Sequence, residues 1–266
     1  MKSFSLWGAM ICIGMLMACS TPPSEPDRRH EADVVMITDK GEVFIKLFDE
    51  TPKHKENFLK LTREGFYDGL NFHRVMRGFI VQTGDPRTRE GSTDTLDDAG
   101  YKLAPEINEK FVHTEGMVGA ARYPDQMNPN WESSSSQFYI VTGKPITDAT
   151  LDTMEQNYDY IRQARMYQEY QQLVKEGKYK ESFNNYLADQ GFTYFGYSDE
   201  QRQAYRGKKG APHLDFMYTL FGEVVQGMDV ISKIEYAPTD QYNRPVTPIR
   251  IQRMMLAEDY FKQAEK

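Results

Sequence analysis

A chain of 266 residues with a net charge of −7 and a pI near 5.4 has nothing in its composition to suggest nucleic-acid binding, which requires a clustered basic surface. Its 39% hydrophobic and 13% aromatic content argues against disorder and suffices for a packed core, in one large domain or two small ones. The two cysteines, Cys12 and Cys19, lie near the N-terminus, so no disulfide framework can staple the body; the five histidines (30, 54, 73, 113, 213) lack ligand-like spacing, so no structural metal is expected.

Lys2 gives a positive start, and Leu6 to Ala18 is an almost unbroken apolar run, too short for a membrane span. It ends Leu16-Met17-Ala18-Cys19, which resembles the bacterial lipobox, where the cysteine is acylated and becomes the first residue of the mature chain. That implies a signal peptide over 1–18, a lipid anchor on Cys19, and residence in the bacterial cell envelope, on the periplasmic side of a membrane or at the cell surface. Several acyl chains hold stably, because each buried methylene contributes about 0.8 kcal/mol. The alternative is an ordinary secretory signal that contains a cysteine. Residues 19–32, Pro-rich and polar, read as a flexible tether.

Asp33 to Thr38 and Val43 to Phe48 flank Asp39-Lys40-Gly41-Glu42, a hairpin by turn chemistry and alternation. Thr51-Pro52 then opens a helix, with Thr51 at the N-cap and Pro52 at the first helical position. Phe58 and Leu61 share its apolar face, and Gly65 ends it.

Two short runs follow, Phe72 to Met76 and Phe79 to Thr83, around the turn Arg77-Gly78. A period of two puts Phe72, Arg74 and Met76 on one face, and Ile80 and Gln82 together on another. An arginine on a face with apolar neighbours is either a solvent-side residue of a half-buried hairpin or a functional group. Phe72-His73-Arg74-Val75, Gly78-Phe79-Ile80-Val81-Gln82 and Gly84-Asp85 resemble, with fixed spacing, the signature of the cyclophilin family of peptidyl-prolyl isomerases. The resemblance implies that Arg74 is the catalytic arginine and that Phe79, Ile80 and Gln82 line the proline pocket.

The remaining segments extend the resemblance. Asp85 to Gly100 is a polar loop, and Phe111 to Arg122 resembles the family's pocket strand, ending in Ala120-Ala121-Arg122. Ser135 to Val141 resembles its Ser-Gln-Phe-Phe-Ile segment; Gln137 would hold the substrate backbone with Ala121 and Arg122. Tyr139 stands where the family has a pocket Phe, with a hydroxyl expected to bond at the pocket rim. His213 replaces a Trp, Leu214 matches a pocket Leu, and Tyr218 replaces a pocket His. The missing Trp implies weakened cyclosporin binding.

Between them, residues 145–212 have no counterpart in a compact member. Leu151, Met154, Tyr158 and Ile161, continued by Tyr170 and Leu173-Val174, predict an amphipathic helix of roughly 25 residues ended by Gly177. Phe183, Tyr186 and Leu187 predict a second, shorter helix before Gly191, and Ser198 to Gln201 form a capping box for a third. This helical insertion reads as a decoration packed on the barrel or as a lid beside the pocket. Residues 225–236 are predicted as a second capping helix, Pro248 to Met255 as a closing strand, and 258–266 as a polar tail.

The fold expected is mainly β: a closed eight-stranded antiparallel barrel capped by two helices, over residues 33–257 with the insertion at 145–212. The function implied is cis-trans isomerisation of X-Pro bonds in envelope or secreted polypeptides by a monomer, with no cofactor and no nucleic acid. The alternative is a catalytically weak binding or chaperone module that works through the insertion.

Overall fold

In the computed structural model, which describes residues 26–264, eight strands form one antiparallel sheet. They are β1 (Val34–Thr38), β2 (Gly41–Leu47), β3 (Arg74–Met76), β4 (Ile80–Thr83), β5 (Met117–Ala120), β6 (Phe138–Val141), β7 (Leu220–Gln226) and β8 (Ile251–Leu256). Their spatial order is β8-β1-β2-β7-β5-β6-β4-β3. The predicted signal peptide and Cys19 lie outside the described residues.

The sheet curls but does not close, which corrects the closed barrel. Its end strands, β3 and β8, are not paired along their lengths. An isolated bridge between Asn71 and Arg250, with backbone bonds from Phe72 to Ile249 (2.9 Å) and from Ile251 to Leu70 (2.8 Å), stitches the two ends just before β3. The reason is local: β3 is only three residues long, and Phe72 and His73 are outside regular strand geometry. The alternation expected from Phe72 therefore fails. Phe72 enters the inner core with Val75 and does not share the face of Arg74.

Alternation elsewhere divides two cores. Val81, Val118, Phe138 and Ile140 point inward, joining Phe58 and Leu61 of α1 (Pro52–Arg63). Their neighbours Ile80, Met117, Tyr139 and Val141 point to the opposite face and build a second cluster. Thr51 occupies the N-cap of α1 but does not cap it. The Glu106 carboxylate does so from afar, accepting from the backbone of Lys53 (3.1 Å) and His54 (3.0 Å).

Residues 145–212 carry three helices, α2 (Asp148–Lys175), α3 (Phe183–Asp189) and α4 (Asp199–Tyr205). The chain leaves and returns through a short antiparallel ladder, Lys144–Pro145 against Lys209–Gly210. Reciprocal capping boxes start α2 at Thr147 and α4 at Ser198. Gly177, at φ +69°, ends α2; Lys178 donates to Leu173 (2.9 Å) and Gly177 to Val174 (3.0 Å), closing the helix with a left-handed residue. Only Leu151 and Asp159 of α2 are buried; along its apolar stripe Met154, Tyr158, Tyr170 and Leu173 are half-buried, and Ile161 and Val174 are exposed.

Two expectations at the C-terminal end are corrected. Residues 225 and 226 belong to β7, and the capping helix α5 spans only Met228–Glu235. Gly227, at φ +100°, makes the turn between them, where a side chain would strike the Glu42 carbonyl. The polar tail is instead largely a helix, α6 (Ala257–Ala264), with Tyr260 edge-on to Phe44 (5.5 Å) and Phe261 stacked on it (6.4 Å). The last residues of the predicted tether also dock, because Arg28 pairs with Glu31 (2.8 Å) and with Glu223 of β7 (3.3 Å).

Candidate active site

Strand register places the polar residues of the site in a row. Arg74 lies opposite Gln82, Gln82 opposite Tyr139, and Tyr139 opposite Gly119. Side chains at directly paired positions share a face, so a line of functional groups crosses β3, β4 and β6. Arg74 Nη1 donates to Gln82 Oε1 (3.2 Å), Gln82 Nε2 to Gln137 Oε1 (3.0 Å), and Gln137 Nε2 to the Asp97 carbonyl (2.7 Å). This chain fixes both amides with their oxygens toward Arg74. The guanidinium lies 6.0 Å from the Phe79 ring centroid. Among the described residues it donates to Gln82 alone, so most of its five N–H groups are free for a ligand.

The apolar members meet around this row. Ile80, Tyr139 and Leu214 belong to one buried cluster, with Phe79, Ala121 and Tyr218 packed against it. Gln82, Ala121, Arg122 and Gln137 line a neighbouring recess of about 180 Å³. Ala121 joins the two. His213 is exposed, with its ring 5.0 Å from that of Phe79.

Two residues behave differently from expectation. The Tyr139 hydroxyl is not at a rim: the side chain is 3% exposed, and its hydroxyl bonds to His113 Nε2 at 2.9 Å. Burial pushes the phenol pKa well above its ordinary 10. A Cβ at Gly119 would lie 2.7 Å from Tyr139 Cε2 and closer to Cζ and the hydroxyl, so the glycine makes room for the larger ring. The Arg122 guanidinium is engaged within the protein. Its side chain is 4% exposed, donates to the Met217 carbonyl (2.9 Å), the Tyr123 carbonyl (3.1 Å) and Asp125 (2.8 Å), and lies between the rings of Trp131 and Tyr218.

Behind Tyr139 lies a polar network that sequence reasoning missed. His113 donates its backbone N–H (2.7 Å) to Asp215 Oδ1, and its ring Nδ1 is 2.8 Å from the same oxygen. Tyr197 (2.8 Å) and Tyr205 (2.7 Å) donate their hydroxyls to Asp215 Oδ2. Burial, reinforced by the Asp215 carboxylate, pushes both phenols far above the usual value. The carboxylate is 3% exposed, and four donors around it are what a buried charge requires. His113 and Asp215 are 102 residues apart in sequence, so only the fold pairs them. Gly119 was open to inference, since a glycine inside a strand signals close approach.

Comparison with known proteins identifies the family and the fold. The family model for cyclophilin type peptidyl-prolyl cis-trans isomerase matches residues 33–256. Peptidyl-prolyl cis-trans isomerase-like 3 of Gallus gallus is 28% identical over 232 residues, covering 86% of this chain and 98% of its own. A peptidyl-prolyl cis-trans isomerase of Arabidopsis thaliana is 27% identical over 226 residues, covering 84% and 94%. The crystal structure of a cyclophilin type peptidyl-prolyl cis-trans isomerase from Cryptosporidium parvum superposes with a TM-score of 0.53 at 20% identity, covering 85% of this chain and 96% of its own.

Proposed function

Because this chain belongs to the cyclophilin-type peptidyl-prolyl cis-trans isomerases and is such an isomerase, we propose that Arg74 is its catalytic residue and that its clients are proline-containing polypeptides of the cell envelope. The observation that carries the assignment of Arg74 is its alignment with Gln82, Gln137 and the Phe79 ring beside the apolar cluster. A second crystal structure of the Cryptosporidium parvum protein, determined in the presence of the dipeptide Ala-Pro, supports a proline-containing substrate.

The chemistry needs no nucleophile. Twisting an amide forfeits resonance against a barrier of about 18–20 kcal/mol, and catalysis consists of preferring the twisted state over both planar ones. In the twisted state the prolyl nitrogen is pyramidal and carries a lone pair. Arg74 is the donor to it, through a planar guanidinium fork of N–H groups. Phe79, Ile80, Leu214 and Tyr218 hold the ring in a dry pocket, with His213 at its edge and Tyr139 forming its base; dryness strengthens the arginine contact. Gln82, Gln137 and the backbone at Ala121 and Arg122 hold the part of the peptide that does not turn.

We read residues 145–212 as a helical insertion into the family fold, and 19–32 as a spacer between a lipid anchor at Cys19 and the domain. The apolar run ending in Leu16-Met17-Ala18-Cys19 supports the anchor. No helix among the described residues is long and apolar enough to cross a membrane.

The test is exchange NMR of a short X-Pro peptide with the soluble chain from Ser20 onward and its Arg74→Ala variant. Catalysis lost while peptide affinity is kept supports the donor role. Equal loss of both would show that Arg74 only binds. Mass spectrometry of the N-terminus of the chain produced in a bacterial host tests the anchor, which is wrong if the mature chain does not begin at an acylated Cys19.

A further inference from the structure

Beside the proline pocket runs a second, mostly apolar concavity of about 330 Å³, in which Met154, Tyr158 and Ile161 of α2 face His213, Phe216 and Met217. The size is within the usual range for small ligand sites, on the order of 300–1,000 Å³. The three α2 residues are the stripe that gave the helix its period, yet they are not packed away: Ile161 is 47% exposed and Met154 and Tyr158 only half-buried.

The groove is built, not incidental. Phe216 sits at φ +60°, a left-handed conformation that a bulky aromatic rarely adopts. It is held there by ring contacts to Phe195 (5.1 Å), Tyr197 (5.8 Å) and Tyr158 (6.4 Å), and by its neighbour Asp215 with four donors.

The groove is also continuous with the pocket. His213 lines it, and the same ring lies 5.0 Å from Phe79. Leu214 turns the other way into the pocket cluster, and the carbonyl of Met217 receives Arg122. One short segment, 213–218, is thus a shared wall.

We propose that this groove is a client subsite. It takes a large apolar side chain, aromatic or of leucine size, from the same polypeptide whose X-Pro bond sits at Arg74. This rests on the pocket assignment above. An extended chain advances about 3.3–3.6 Å per residue, so a residue a few positions from the proline reaches it. A large apolar side chain that leaves water here strengthens binding by on the order of tenfold.

The experiment uses the soluble chain from Ser20 and X-Pro peptides carrying a single Phe at successive positions on either side, against an all-Ala parent. Affinity, exchange rate and the ¹³C-methyl resonances of Met154 and Met217 are read together. At one register, the Phe peptide should bind about tenfold tighter and shift both methyls. Ile161→Glu should abolish that gain while turnover of the parent peptide stays within twofold. A wild-type protein with no register preference overturns the subsite, as does a preference that survives Ile161→Glu with both methyls unmoved. The two readings fail separately: methyl shifts without turnover would sink the pocket assignment and keep the groove, whereas turnover without methyl shifts would do the reverse.

Discussion

Gly119→Ala tests whether the site is built around an oversized ring. Gly119 has no special backbone angle, so in open space the substitution would stabilise by about 0.4–1 kcal/mol through the unfolded chain. Here the new Cβ lies 2.7 Å from Tyr139 Cε2 and closer to Cζ and the hydroxyl. Both residues are in paired strands, so the ring must move, and it cannot do so without loosening the bond to His113. Overpacking costs about 1–3 kcal/mol, and a weakened hydrogen bond adds about 1 kcal/mol. The expected net loss is about 1–3 kcal/mol. In a Tyr139→Val background the obstructing ring atoms are gone, and Gly119→Ala should be neutral or stabilising. Urea unfolding of the four proteins of this double-mutant cycle, read as midpoint shifts at constant slope, should give a coupling above about 1 kcal/mol. Additivity within about 0.5 kcal/mol would refute the packing argument.

Burial holds the imidazoles of His54 and His73 below the usual 6.5; a depressed pKa contributes stability present above 6.5 and lost as pH falls through the folded values, so the urea midpoint should fall between pH 7 and 5, and a flat or rising profile would contradict it. Gly210→Ala puts a Cβ 2.5 Å from the Tyr205 ring and 2.7 Å from the His113 carbonyl, and should cost about 1–3 kcal/mol in the same assay. Gly177→Ala, with nothing within 4 Å, should cost only its left-handed backbone, about 1–2 kcal/mol, and should leave turnover unchanged where Gly210→Ala lowers it. Phe261→Ala strips a half-buried ring from Phe44 and should cost about 1–3 kcal/mol; a silent substitution would return α6 to the status of a tail. Arg74→Lys should abolish most turnover with stability unchanged within about 0.5 kcal/mol, whereas Arg122→Lys, which loses the fork and both ring contacts, should lower stability first; the opposite pattern would exchange their roles.

Local signals carried the reading wherever one stretch of chain held the whole cause. Alternation over Ile80-Val81-Gln82 gave the correct faces, and Ser198 with Gln201 gave the capping box. Reading failed where the cause is distant. Thr51 looks like a cap because its competitor, Glu106, is invisible until the chain folds. Tyr139 reads as a rim residue because its partner, His113, lies 26 residues away in the segment before β5 and meets it only in the fold. The helix at 257–264 was hidden by its charged face, since its burial depends on Tyr260 and Phe261 meeting Phe44 more than two hundred residues earlier. The incomplete barrel follows from the short β3, whose length the apolar run from Phe72 overstated.

The Asp215 network decides what the segment 145–212 can do. A lid would have to swing away from the sheet as a unit. That motion strips Asp215 of the hydroxyls of Tyr197 and Tyr205 while His113 still holds it from the sheet side. A hydrogen bond to a charged group contributes about 1.5–3 kcal/mol, so an open state lacking both stands roughly 3–6 kcal/mol higher. Its population is then at most about one per cent, and the base of the segment acts as a fixed wall. Freedom begins further out. Among the described residues from 160 to 191 only Tyr186 is buried, and it packs with Tyr170, Tyr179 and Phe183 within the arm itself. Ile161 stands at that boundary, the first turn of α2 beyond buried Asp159. A client side chain lodged there meets a preformed wall on the His213 side and an adaptable edge on the other. Under the proposed assignments, binding in the groove requires no closure, and its energy is available for holding the X-Pro bond against Arg74.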